Sequence, residues 1–139
     1  FLGIKVIRTP AGIMISQWHY ILNLLYKFGM TQCKSVATPL DRNLKLDADS
    51  GTKECEPTHY CQCVGNLIYL TIIQPDLSYT VGLLCQFMQT PGNIHLGCAK
   101  QVLRYVSGMM DFGILYKSAT PIRLKGYTNS DRASYKVDR

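Results

Sequence analysis

Cys55, His59, Cys61 and Cys63 fall within nine residues of one another, and all four are residue types that bind zinc as thiolate or imidazole. On a helix His59 and Cys63 would share a face, being four residues apart, whereas Cys61 and Cys63 would point to different faces. The Cys-x3-His-x-Cys-x-Cys spacing matches no common finger or knuckle, so a small zinc-binding module stands as an alternative reading. A second set is acidic: Asp41, Asp47 and Asp49. Carboxylates can hold a divalent cation, but these lie in a polar stretch with no apolar strand to position them, and they read as solvated loop charge. His19, His59 and His95 bring no nucleophile elbow and no acid partner of a hydrolase. Cys85 and Cys98 sit in apolar helical patterns, where a free cysteine is an ordinary small core residue.

The elements that would have to position such groups can be read from periodicity. Leu2 to Arg8 alternates as a strand, Thr9-Pro10-Ala11-Gly12 makes a turn, and Ile13-Met14-Ile15 returns, which predicts a β-hairpin. Ser16 suits an N-cap; Tyr20, Ile21, Leu24, Leu25 and Phe28 recur at helical spacing up to Gly29. Residues 31–56 form an irregular polar connector, long enough to be functional or a linker between subdomains. Three helices follow. One runs from Pro57 to about Ile73. The next runs from about Pro75-Asp76 to before Pro91, with Leu77, Val81, Leu84 and Met88 on one face. The last is capped by Asn93 and stopped at Gly108, with Leu96, Ala99, Leu103 and Val106 inward. Their short connections favour packed neighbours. Gly113–Tyr116 and Ile122–Tyr127 read as short terminal strands. The expected class is α+β: a hairpin plus helix, a long connector, a three-helix bundle and short terminal strands.

The chain has 139 residues and a net charge of +6, enough for one modest core and a balance that suits a nucleic-acid partner. The charge is uneven. Residues 1–53 hold seven Lys/Arg and residues 109–139 hold six, while Pro57–Gly108 carries only Asp76, Lys100 and Arg104. A nearly neutral middle fits a buried bundle, or one with apolar surface for an absent neighbour. The chain opens on Phe1 rather than Met, as expected of a piece of something longer. No signal pattern is visible, and the apolar run Leu67–Ile73 falls far short of the ~20 residues of a membrane span. An intracellular, non-membrane, non-secreted protein is expected.

One stretch is more specific. Cys63-Val64-Gly65-Asn66-Leu67-Ile68-Tyr69-Leu70-Thr71-Ile72-Ile73-Gln74-Pro75-Asp76-Leu77 resembles the (L)VGxLxYLTxTRPDI signature that follows the polymerase palm in copia-type retrotransposon Pol polyproteins. Other motifs follow in family order. Phe1–Ile4 with Gly12–Gln17 resembles FLGI…GIxLSQ. Tyr20–Leu25 with Gly29-Met30 and Cys33-Lys34 resembles YxxDLLxxxGMxxCK. Thr38-Pro39-Leu40 resembles TPM, and Gln86–Pro91 with His95 resembles SxFMxxPxxxHWxA. Leu103–Val106 resembles LRYLKGT, and Gly126–Asp131 resembles GYTDADWAG.

The resemblance implies a map: a palm end with primer-grip hairpin and helix at 1–30, the connector at 31–56, a thumb-like bundle at 57–108, and at 109–139 a connection with the start of ribonuclease H. It implies nucleic-acid contacts for Phe1, Leu2 and Gly3 in the hairpin, and for Gly65 and Tyr69 on the thumb helix. Those two share a face at i, i+4; a glycine admits close backbone approach and an aromatic ring offers flat contact without sequence demand. The implied partners are an RNA–DNA or DNA template–primer duplex and the rest of the Pol polyprotein.

The family's chemistry needs paired carboxylates on Mg²⁺. Its YVDD-type pair would lie upstream of Phe1. The first ribonuclease H acid aligns with Asn129, Arg132 replaces a tryptophan, and Asp131 alone cannot build the metal site. No catalytic residue and no metal ligand is therefore expected within these residues, and Mg²⁺ belongs to the intact family enzyme. Further departures are Asn23 for aspartate, Gln74 and Gln101 for arginine, and Ser107 for lysine. Many are reachable by single C→T or G→A transitions, as in a decaying copy of a silenced element. An excess of such transitions over intact copies is expected in the coding DNA; its absence would remove the idea.

Overall fold

The computed structural model describes residues 2–47 and 55–128. Phe1, Asp49, Asn129, Asp131 and Arg132 lie outside the described residues. In chain order the elements are β1 (Lys5–Thr9), β2 (Gly12–Ser16), α1 (Trp18–Lys27), α2 (Pro57–Leu70), a 3-10 turn (Pro75–Leu77), α3 (Ser78–Cys85), α4 (Asn93–Ser107) and β3 (Ile114–Lys117). This is the expected α+β class.

The hairpin forms because β-branched Val6, Ile7, Ile13 and Ile15 flank a two-residue tip, Pro10-Ala11. Thr9 Oγ1 donates to the Gly12 carbonyl at 3.0 Å. β3 joins as a third antiparallel strand in the order β1-β2-β3, with Met14 opposite Leu115 and Ile15 opposite Ile114, so the segment after α4 shares one sheet with the opening hairpin. Two glycines admit it. A Cβ on Gly12 would collide with the Tyr116 carbonyl oxygen, and one on Gly113 with the Ile15 carbonyl oxygen. The second terminal strand, expected over Ile122–Tyr127, does not form. Residues 118–128 carry no strand, and Ile122 and Leu124 stand fully exposed, with no neighbouring strand to satisfy their backbone.

Ser16 is not the cap of α1. It is the last residue of β2, paired with Lys5, and Gln17 takes the N-cap position without a side-chain cap bond. The C-terminal stop is as the sequence predicts. Gly29 adopts φ +66°, Met30 N–H donates to Leu25 O at 2.7 Å and Gly29 N–H to Tyr26 O at 3.1 Å, the paired bonds of a Schellman motif.

One core runs through all four helices. Ile21, Leu24 and Leu25 of α1 pack with Tyr60, Cys63, Val64, Leu67 and Leu70 of α2 and with buried residues of α3 and α4. The α2 set repeats at i, i+3, i+4, i+7 and i+10, one continuous helix stripe. Proline opens the first turn of α2, where no intrahelical donor is lost. Within the stripe the Tyr60 hydroxyl donates to the Leu84 carbonyl at 2.6 Å, tying α2 to α3. The helix ends three residues before Ile73 and gives way to turns. Two inward assignments shift. α3 stops at Cys85, so the turn after it buries Phe87 and leaves Met88 partly exposed. In α4, His95, Cys98 and Val102 join Ala99, Leu103 and Val106 inside, whereas Leu96 is only half-buried.

The described part of the connector is strapped antiparallel along α4. Cys33 Sγ meets Ser107 Oγ at 3.6 Å, Arg104 Nε donates to Lys34 O at 2.8 Å, Gln101 Nε2 reaches Thr38 O at 3.4 Å, and the His95 ring reaches Asp47 O at 3.1 Å. No helix among the described residues is long and apolar enough to cross a membrane.

His95 anchors the far end of that strap. Its Nδ1 accepts from Gly92 N–H at 2.8 Å, so the N-cap of α4 is Gly92 rather than Asn93. With Nδ1 accepting, Nε2–H is the donor to the Asp47 carbonyl. The ring stacks on Phe87 at 4.1 Å. Burial holds the imidazole below its ordinary value of 6.5, against the raising effect of the Asp47 carbonyl. The fold therefore favours neutral His95, and the unfolded chain binds the extra proton. This contribution to stability is complete above about pH 6.5 and is lost as pH falls below it. Urea unfolding of the wild type should weaken from pH 7 to pH 5. In His95→Gln, which keeps an acceptor for Gly92 N–H, that slope should shrink. An unchanged slope would contradict this role.

Candidate functional site

Burying one stripe of α2 leaves the opposite face to solvent. Gly65 is exposed, and a Cβ placed on it would meet nothing within 4 Å. Tyr69 lies one turn further along on the same face and is half-buried. Its hydroxyl donates to the Leu2 carbonyl, across 67 residues of sequence. Its own carbonyl, in the last turn of α2, accepts from Gln17 Nε2 at 3.1 Å. Tyr69 is thus held at both ends by the hairpin side of the molecule.

The segment it grips has an unusual backbone. Leu2 adopts φ +52° and Gly3 φ +77°. A leucine in the left-handed region costs free energy and persists only where its surroundings enforce it, a condition that concentrates at functional sites. Gly3 fits because its α-carbon faces Tyr20: a Cβ there would come within 3.2 Å of the Tyr20 ring. Tyr20 in turn meets Tyr69 edge-on, ring centroids 4.7 Å apart at 61°. The Tyr20 hydroxyl donates to Asn66 Oδ1 at 2.9 Å, while Asn66 Nδ2 donates to the Gln62 carbonyl at 2.5 Å. Burial, and then the neighbouring Tyr69, raise the Tyr20 pKa, so its hydroxyl remains a donor.

Beside this corner, Gly3, Ile4, Lys5, Val6 and His19 line an open groove of about 460 Å³. Lys5 and His19 also border a second groove of about 270 Å³ with Trp18 and Met110. Four of the five residues expected to contact nucleic acid, Leu2, Gly3, Gly65 and Tyr69, therefore share one exposed corner; Phe1 lies outside the described residues. Sequence reasoning missed Tyr20, Asn66 and Gln17. The spacing places Tyr20 in the apolar stripe of α1 and the resemblance places it in the YxxDLL-like motif; the need of a half-buried phenol for a hydroxyl partner is the available signal.

The zinc alternative does not assemble. Cys55 Sγ is directed to the Pro91 carbonyl at 3.5 Å and Cys61 Sγ to the Met88 carbonyl at 3.3 Å. The His59 ring lies against Phe28 at 5.2 Å. Cys63 is wholly buried, and burial pushes its thiol up to about 11, opposed by Lys100 and Lys27. Cys55 precedes α2 and the helix carries the other three, the four side chains meeting different neighbours, and among the described residues no group of three or more His, Cys, Asp or Glu could hold a metal ion. Asp41 Oδ1 accepts from Asn43 N–H at 2.9 Å in a local turn, and Asp76 Oδ2 accepts from the Tyr105 hydroxyl at 2.8 Å.

The chain is 43% identical over 138 residues, 99% of its length, to the retrovirus-related Pol polyprotein from transposon RE1 of Arabidopsis thaliana. It is 44% identical over 133 residues to that from transposon RE2 of the same plant, and 34% identical over 145 residues to that from transposon TNT 1-94 of Nicotiana tabacum. Over nearly its whole length the chain is a homologue of copia-type Pol polyproteins. It spans 9% of the RE1 and RE2 polyproteins and 10% of the TNT 1-94 one, and covers 96% and 95% of its own length in the latter two matches. No family model matches the chain, and no solved structure matches it.

Gln74 is buried, 5% exposed, and its Oε1 has no hydrogen-bond partner among the described residues. A buried acceptor left unmade costs about 1–3 kcal/mol.

Tyr69→Phe removes the hydroxyl bond to Leu2 while keeping the ring against Tyr20. It should lower unfolding stability by about 1 kcal/mol in urea titration and leave the helical circular dichroism unchanged. Wild-type stability in Tyr69→Phe would show that the bond does not hold the turn.

Proposed function

We propose that this retrotransposon-derived Pol segment is part of the template–primer grip of an RNA-directed DNA polymerase, holding an RNA–DNA or DNA duplex without carrying out chemistry. One observation supports it above the others: Leu2–Gly3 and the Gly65–Tyr69 face, far apart in sequence, form one exposed corner joined by the Tyr69–Leu2 bond. Physically, the corner suits a sugar-phosphate surface. Gly65 leaves room for close backbone approach, Tyr69 gives a flat apolar edge, and Lys5 in the adjoining groove supplies a counter-charge for phosphate. None of these groups reads a base, so binding is indifferent to sequence. The carboxylates and the Mg²⁺ that they hold would come from other parts of the Pol polyprotein, which is the second partner of this reading. Exposed Ile68 and Ile72, at 46% and 57%, are apolar surface available to such a neighbour.

The competing reading is a remnant of a decayed element with no activity. The buried amide oxygen of Gln74, without a partner among the described residues, is compatible with it, at a position where the resembled motif carries arginine.

Fluorescence anisotropy with a labelled RNA–DNA hybrid separates the two. Duplex gripping predicts binding that weakens steadily between about 50 and 200 mM salt and that differs little between hybrids of unrelated sequence. Gly65→Glu, which adds bulk and negative charge at an open helix position, should weaken binding about tenfold, roughly 1.4 kcal/mol, with no loss of thermal stability. No binding at low salt would overturn the proposal and leave the inactive remnant.

A further inference from the structure

We infer that Tyr20 is a positioning residue that locks the Leu2–Gly3 turn to α2, so that the turn and the Gly65–Tyr69 face meet a ligand as one rigid surface; this rests on the duplex-gripping reading. Three contacts converge on this one side chain. Its ring backs Gly3 so closely that a Cβ there would sit 3.3 Å from the Tyr20 Cβ. The same ring meets the Tyr69 ring edge-on at 4.7 Å. Its hydroxyl donates to Asn66 Oδ1 at 2.9 Å, with the Asn66 carbonyl at 3.4 Å. A further link is indirect: Tyr69, whose ring Tyr20 meets, donates to Leu2 O.

The geometry is that of a wedge between two bodies. The turn belongs to the hairpin, and Asn66 and Tyr69 belong to α2. At the same corner Gln17, between the hairpin and α1, donates its amide nitrogen to the Tyr69 carbonyl. Tyr20 sits on α1 between them, one residue before Ile21, which is wholly buried in the shared core. The core therefore fixes the wedge, and the wedge fixes the turn. This explains how Leu2 is kept in the left-handed region at φ +52° although its side chain is 70% exposed: burial of the leucine does not enforce that conformation, while the contacts on either side of its carbonyl do. Tyr20 contributes no charge and need not touch the ligand. Its effect is to remove conformations of the turn that could not bind, which raises the competent fraction and hence the apparent affinity.

The test uses the full chain with Tyr20→Phe, which keeps the ring and removes the bond to Asn66, and Asn66→Ala, which removes the other half of the same bond. A positioning role predicts three results together. Hybrid affinity falls about threefold to tenfold in each variant, and the double variant is no worse than the weaker single one. The slope of affinity against salt is unchanged, since no phosphate contact is lost. Amide exchange at Gly3 and Ile4 accelerates, while exchange in α2 and α4 does not. A general structural role would instead accelerate exchange through the core and lower the melting temperature, and that result would overturn the inference. So would wild-type affinity with wild-type exchange at Gly3. If the wild-type chain binds no hybrid, the duplex reading fails, and the exchange at Gly3 alone then decides whether Tyr20 locks the turn.

Discussion

Everything in this molecule depends on the buried stripe of α2. Tyr60, Cys63, Val64, Leu67 and Leu70 fill the centre of the core, and α1, α3 and α4 pack around them. A helix that buries one stripe must expose the other, and this one exposes Gly65 and part of Tyr69. The candidate site is therefore a consequence of packing. The same requirement that closes the core chooses which residues of the signature face outward.

The stripe also sets the relation between the hairpin and the bundle. Because α1 contributes Ile21, Leu24 and Leu25 to the common core, the hairpin that precedes it is carried up to α2, and Leu2 arrives within reach of the Tyr69 hydroxyl. The described connector does not behave as a free tether. Its hydrogen bonds to Ser107, Arg104, Gln101 and His95 run the length of α4. Most use a connector backbone carbonyl as acceptor, which is why they were invisible in a polar sequence with no periodicity. His95 is the clearest case: as a lone histidine in an apolar pattern it carried no legible role, yet it starts α4 and holds the strap at once.

Elements with a strong hydrophobic period were legible from the sequence. The hairpin, α1 with its glycine stop, the proline start of α2 and part of the inward face of α4 follow from apolar spacing and end signals. The misreadings share a cause, which is competition from tertiary contacts. Ser16 has the chemistry of an N-cap but is consumed by strand pairing. Ile122–Tyr127 has strand propensity and no strand beside it among the described residues, whereas Ile114–Lys117 finds the β2 edge, admitted by Gly12 and Gly113. His59, Cys61 and Cys63 are close in sequence but turned to different neighbours because a helix rotates successive side chains apart, and Cys55, before the helix, is directed to the Pro91 carbonyl. Of the site, Gly65 and Tyr69 were legible as a shared face; Tyr20, Asn66 and Gln17 were not, because their roles consist of contacts across 46 and 52 residues.

The central claim is that the corner formed by Leu2–Gly3 and the Gly65–Tyr69 face meets a nucleic-acid duplex. Backbone amide chemical-shift mapping of the isotopically labelled chain, titrated with an RNA–DNA hybrid at low salt, tests this most directly. The account predicts the largest shifts at Gly3, Lys5, Gly65 and Tyr69, with α4 and the strap at residues 33–38 almost unmoved. Shifts centred on α4 or spread evenly over the basic flanks, with Gly65 and Tyr69 silent, would contradict it.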